Sequence, residues 1–205
     1  MPKGLGLTGA ILAGGASSRM GRDKAELEVL PPSGERLTMI QLVSWSLARV
    51  CDEVLVVGGP ERRGIAARPT PDLMPGSGVL GGLYSALSAA TNELVFLVAC
   101  DMPYLDAAVV EKLAQLAEGH DAVVPEIDGQ FEPLHAVYRR SCVQPIKAAL
   151  HRGERRMISF FPAVKLRAVG DLEYSTLDPS LRSLANLNTP EEFQRAVEGG
   201  LFAKA

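Results

Sequence analysis

"ELVFLVAC", residues 93–100, is a near-continuous apolar run, and "DMPYL", residues 101–105, follows it at once. A strand with one wet face alternates apolar and polar residues, whereas an unbroken run of this length fits a strand covered on both faces, as in the centre of a parallel sheet. Working outward, "LTGAILA" (7–13) and "EVLVV" (53–57) have the same buried character, and "DAVVPEI", "LHAVYR" and "VKLRAVG" supply further strand candidates. Helical patterns separate them at 39–50, 80–90, 107–116 and 143–151. A last helix opens in "NTPEEFQRAV", with Thr189 as its cap, Pro190 in the first turn and two acids near the positive helix end. This alternation predicts an α/β fold of three layers, α/β/α, with a mostly parallel central sheet and right-handed crossovers. "LPPSGERLT" (30–38) and "RPTPDLMPGSGVLGG" (68–82) read as loop-rich. No repeat, low-complexity tract or long linker divides the 205 residues, so one domain over 1–205 is expected.

Hydrophobic residues make up 47% of the chain and charged residues 22%, which argues against disorder. A formal charge of −3 argues against a nucleic-acid partner bound over a broad surface, so any phosphate site has to be concentrated. No apolar run reaches the roughly 20 residues of a membrane span, and the first residues hold too short an apolar segment for a secretory signal. The three cysteines, Cys51, Cys100 and Cys142, are odd in number and scattered. That is neither a disulfide framework nor metal-ligand spacing, and a reducing, cytoplasmic location without membrane attachment is expected.

In an open α/β sheet, ligands collect beyond the carboxyl ends of the strands. The first strand ends at Ala13, and "GGASSRMGRDK" is the loop that leaves it. Gly14 and Gly15 permit close backbone approach, so that amide N–H groups can face a phosphate or base. Arg19 and Lys24 add a forked and a point charge for phosphate oxygens. The spacing is neither that of a Walker loop nor G-x-G-x-x-G. Asp101 closes the apolar strand with a hard oxygen donor suited to Mg²⁺; the competing role is a turn or cap for the segment near Leu105. Asp72 precedes a glycine-rich stretch, and its competing role is a turn residue beside Pro71.

The string "LAGGASSRMGRDKAEL" (12–27) carries the pattern G-G-x-S-x-R-M-G-x-x-K, which resembles the signature of the molybdenum cofactor guanylyltransferase family of nucleotidyltransferases. "CDMP" (100–103) resembles that family's metal motif, and the likeness runs from Leu7 to about Phe193. The resemblance implies a nucleotidyltransferase domain with a nucleotide-binding N-terminal half and an acceptor-binding C-terminal half. It implies transfer of GMP from GTP to the terminal phosphate of molybdopterin, with release of pyrophosphate. Leu12, Ala13, Gly14, Gly15, Ser17, Arg19, Lys24, Asp72 and Asp101 would then bind the nucleotide. Arg19, Lys24 and Asp101 would be catalytic, with Mg²⁺ on Asp101. A carboxylate at Asp72 can accept from the N1–H and N2–H₂ edge of guanine, which adenine and cytosine do not reproduce.

Acceptor-side segments of the family are also matched. Arg155 and Arg156 are candidates for an anionic acceptor, against the alternative of a solvated charge pair at a helix end. Asn186 and Asn188 alternate in a short extended run, so both point to one face, where their amides suit the polar heterocycle of the acceptor; the alternative is an ordinary pre-helix loop. His135 is expected to be a packed strand histidine without a chemical role. "LAGG" stands where pyrimidine-using relatives tend to show "LAAG", and Gly14 is expected to make room for a purine. The chain departs from the family in the longer "PPSGERLT" and in "VVGGPE", where some relatives carry an asparagine. Two alternatives stay open: a transferase directed to CTP or to sugar phosphates, and a non-catalytic nucleotide-binding chaperone. Handoff of the cofactor to molybdoenzymes or their chaperones is compatible with catalysis, as an addition to it.

Overall fold

The computed structural model describes residues 4–14, 25, 27–29, 37–60, 62 and 64–198. Along them run β1 (Leu7–Leu12), β2 (Glu28–Val29), β3 (Leu37–Thr38), α1 (Met39–Ala48), β4 (Glu53–Val57), β5 (Arg68–Thr70), α2 (Gly78–Ala89), β6 (Leu94–Ala99) and α3 (Ala107–Gln115). Then come β7 (Ala122–Ile127), β8 (Gln130–Phe131), β9 (His135–Arg139), α4 (Val143–His151), β10 (Leu166–Gly170), α5 (Asp171–Leu177) and α6 (Pro190–Glu198). The main sheet has the order β10-β7-β9-β6-β1-β4-β5, with β8 paired to β7. β2 and β3 form a separate antiparallel ribbon.

β1 is buried at all six positions and is clamped in parallel by β6, from Leu7↔Leu94 to Leu12↔Ala99, and by β4. Alternate residues feed two cores. Leu7, Ile11, Phe96 and Val98 pack with Ile40 and Leu47 of α1, Val109 and Leu113 of α3 and Tyr174 of α5. Ala10, Leu12, Leu55, Val95 and Leu97 pack on the other face with α2, α4 and the turn at Met157–Ala163. With both faces covered, the central strands have no polar side to show, which accounts for the unbroken run at 93–100.

The chain leaves β1 through α1 to β4, moves outward to β5, and returns through α2 to β6 on the other flank of β1. That reversal is the switch point at which open α/β sheets bind ligands, and it lies at the carboxyl ends of β1 and β6. The amino-terminal edge is occupied differently. There Glu53 accepts from the Thr8 hydroxyl at 3.0 Å, from the Thr91 N–H at 3.0 Å and from Arg68 at 2.6 Å, so its charge is spent on stitching strands.

Two elements differ from expectation. β5 lies inside a segment read as loop, and β9 runs antiparallel to both of its neighbours. α1 opens on a capping box, with Thr38 N–H donating to Gln41 Oε1 at 2.7 Å and Gln41 N–H to Thr38 Oγ1 at 3.4 Å. No helix among the described residues is long and apolar enough to cross a membrane.

Candidate nucleotide site

Backbone hydrogen bonds join the strand ends that frame the switch point. Cys100 N–H donates to Leu12 O at 3.3 Å, Ala13 N–H to Val57 O at 3.1 Å, and Gly58 N–H to Thr70 O at 3.0 Å. The first of these brings Asp101, one residue past Cys100, beside the exit of β1. Asp101 is half-buried. α3 is capped by Asp106, whose Oδ1 accepts Ala108 N–H at 2.8 Å, so the cap role considered for Asp101 belongs to Asp106.

Two backbone segments approach closely at β1's exit. A Cβ on Gly14 would stand 3.3 Å from Gly58 Cα, and Gly58 itself sits at φ +72°. The space that a side chain at Gly14 would take is therefore filled by the Gly58 backbone. Expected room for a purine is not what this glycine immediately provides. Behind the strand, a Cβ on Gly82 of α2 would come within 2.9 Å of Leu12 Cδ2, so the missing side chain there seats Leu12.

Asp72 follows β5 at the same rim. Its Oδ1 accepts from Met74 N–H at 2.9 Å and lies 3.2 Å from Ser85 Oγ. Ser85 Oγ also takes Leu73 N–H at 2.9 Å and is 2.8 Å from Gly81 O, so its single proton serves one of two acceptors. Thus Oδ1 has the turn role weighed for Asp72, and a guanine edge would fall to Oδ2.

The residues proposed for the acceptor fall in two places. Asn186 and Asn188 are exposed on either side of buried Leu187, as their alternation predicts. Leu187 N–H donates to Asp101 O at 2.8 Å, which brings this pair next to the Asp101 loop. Thr189 caps α6 as expected: Glu192 N–H donates to Thr189 Oγ1 at 3.1 Å, and Glu192 Oε2 receives the Asn188 N–H at 2.6 Å. Arg156 is exposed, just beyond α4 at the head of the Met157–Ala163 turn. Arg155 instead donates to Leu150 O at 3.3 Å and Glu154 O at 3.0 Å, which commits it to the end of α4. Gly15, Ser17, Arg19 and Lys24 lie outside the described residues.

One cation escaped the sequence reading. A Cβ on Gly59 would lie 2.9 Å from Arg62 Nη1 and 3.0 Å from Ala13 O, so the Arg62 guanidinium rests on the Gly58–Gly59 bend beside β1's exit. The signal was a pair of glycines closing a strand, with two arginines three residues further on.

Among the described residues no group of three or more His, Cys, Asp or Glu is arranged to hold a metal ion. Asp101 brings one carboxylate to the carboxyl end of β6, at the switch point. This suits Mg²⁺, which binds through one or two carboxylates and completes its shell with substrate phosphates and water.

The description "MobA-like NTP transferase domain" belongs to the family model that matches residues 9–168. A probable molybdenum cofactor guanylyltransferase of Pelotomaculum thermopropionicum is 36% identical over 191 residues, covering 92% of this chain and 91% of its own. A molybdenum cofactor guanylyltransferase of Desulfosudis oleivorans is 35% identical, covering 93% and 94%. Among solved structures, molybdopterin-guanine dinucleotide biosynthesis protein A of Archaeoglobus fulgidus superposes with a TM-score of 0.75 at 26% identity, covering 93% and 97%. With its doubly wound sheet, its glycine-lined strand exit and these relatives over nearly its whole length, the chain belongs to the MobA-like NTP transferase family.

Proposed function

We propose that the protein transfers GMP from GTP to the terminal phosphate of molybdopterin, forming the guanine dinucleotide cofactor and pyrophosphate. The observation that carries this reading is the bond from Cys100 N–H to Leu12 O, which sets Asp101 against the exit of β1 at the switch point. The relatives' names supply the substrates. The nucleotide falls to the N-terminal half and the acceptor to the C-terminal half. The cytoplasm is its place of action, in keeping with cysteines that are odd in number and scattered along the chain.

The acceptor phosphate is already anionic near neutral pH, so the protein need not supply a general base. The barrier lies in bringing two polyanions into line, and positioning and charge neutralisation are what lower it. The backbone at Leu12, Ala13, Gly14 and Gly15, with Ser17, seats the nucleotide. Lys24 steadies the α-phosphate and Arg19 the departing pyrophosphate. Asp72 Oδ2 accepts from the guanine edge. Asn186, Asn188 and Arg156 receive the pterin and its phosphate. Asp101 would hold Mg²⁺, which when bound neutralises charge on the phosphate oxygens.

The full chain supplied with MgCl₂, molybdopterin and GTP, CTP or ATP in turn, with products read by mass spectrometry, tests this reading. The expected product is the guanine dinucleotide, formed in preference to the others. Preference for CTP overturns the base assignment, and GTP binding without transfer supports a chaperone.

A further inference from the structure

Between α5 and α6 the chain carries a buried polar cluster that the transfer reaction does not use. Asp178 Oδ2 accepts from Ser183 N–H at 2.7 Å and from Ser183 Oγ at 2.8 Å, and Ser180 Oγ donates to Oδ1 at 3.0 Å. With its own proton given to Asp178, Ser183 Oγ must accept from Tyr174 Oη, 2.7 Å away. Tyr174 is 0% exposed, Ser183 1% and Asp178 9%. Burial raises the Asp178 pKa, yet the hydrogen bonds from Ser183, Ser180 and the Arg182 backbone leave it below the usual carboxylate value. Leu181 sits at φ +52° within this bend, a conformation a leucine keeps only where its surroundings enforce it.

The same bend is tied twice to the loop that bears Asp101. The Arg182 guanidinium carbon lies 4.5 Å from the Tyr104 ring centroid. Five residues on, Leu187 N–H meets Asp101 O, and the Leu187 side chain shares a cluster with Tyr104. Glu192 fixes the far end of the segment through the Asn188 and Thr189 amides.

We infer that the Tyr174–Ser183–Asp178 cluster, together with Arg182 on Tyr104, is a positioning device that holds Asn186 and Asn188 at a fixed offset from Asp101. The inference rests on the acceptor reading of those asparagines. In-line attack tolerates little error, a misplacement of about 1 Å costing on the order of a hundredfold. A single backbone hydrogen bond would leave a surface segment free to drift. A fully satisfied polar cluster specifies one geometry where an apolar filling would permit several.

The test uses Ser183→Ala, Tyr174→Phe and Arg182→Ala in the full chain, the last two covering the case in which the first fails to fold. Hydrogen exchange at the Leu187 amide should quicken about tenfold in each. The KM for molybdopterin should rise by about the same factor, with GTP affinity in MgCl₂ held within about twofold. Exchange and KM at wild-type values in the folded variants overturn the inference, as does an equal loss of GTP affinity. A wild-type chain that makes no dinucleotide defeats the functional reading instead, and the exchange measurement still decides whether the cluster holds the segment on Asp101.

Discussion

His135 is 0% exposed, edge-on to Phe96 at 5.1 Å and to Tyr174 at 6.3 Å between ring centroids. Among the described residues neither of its ring nitrogens has a hydrogen-bond partner. It is the packed strand histidine that the sequence suggested. Burial pushes its pKa down to about 3, with the Asp178 charge pulling weakly the other way. The native ring stays neutral while the unfolded ring takes a proton near pH 6.5, so its stability contribution is whole above that pH and drains as pH falls toward 3. The slope is about 1.4 kcal/mol per pH unit. Between pH 7.5 and 5 the wild type should therefore lose about 2 kcal/mol more than His135→Phe, read by urea unfolding. Equal losses would show that the ring does not carry this penalty. At the site, Asp101→Asn should leave the thermal melt in place and cut dinucleotide formation by on the order of a hundredfold. Near-normal turnover in that folded variant would remove Asp101 from the chemistry.

At the scale of elements, boundaries were legible where burial was periodic and ends were marked. β4 at Glu53–Val57 and α4 at Val143–His151 fall where the pattern places them. β5 was not legible, because "RPT" is a three-residue edge strand with a proline and no periodicity to show. α2 begins two residues before its pattern, at Gly78, because the glycines that weaken its propensity are kept for close packing such as that on Leu12. The direction of β9 was hidden for another reason: side-chain alternation is the same in parallel and antiparallel strands. The Gly14–Gly58 contact yields an element-scale prediction. Gly58→Ala sets a side chain at φ +72°, 3.1 Å from Gly14 Cα. The cost should be about 1–2 kcal/mol in stability, and calorimetry should show weaker GTP binding as β1's exit shifts. An unchanged affinity would mean that the two loops do not share the site.

Across the whole molecule, the three-layer architecture was readable because both faces of the sheet are covered, and the strands say so in their composition. The candidate site could be proposed from sequence because Ala13–Gly14 and Asp101 follow the carboxyl ends of β1 and β6, where open α/β sheets bind ligands. What could not be read were contacts between distant segments: Gly14 against Gly58, Arg182 over Tyr104, and Leu187 on Asp101. None of these leaves a periodic trace. All depend on the reversal of strand order at β1 that folds both halves onto one rim. Transfer at this site requires the nucleotide to lie on that rim. The most direct measurement is a crystal structure of the full chain with GTP and Mn²⁺ in place of Mg²⁺, the ion located by its anomalous signal. The predicted result is the ion on the Asp101 carboxylate, with the phosphates over Leu12–Gly15 and guanine at Asp72. Nucleotide and ion bound away from both Asp101 and the exit of β1 would contradict it.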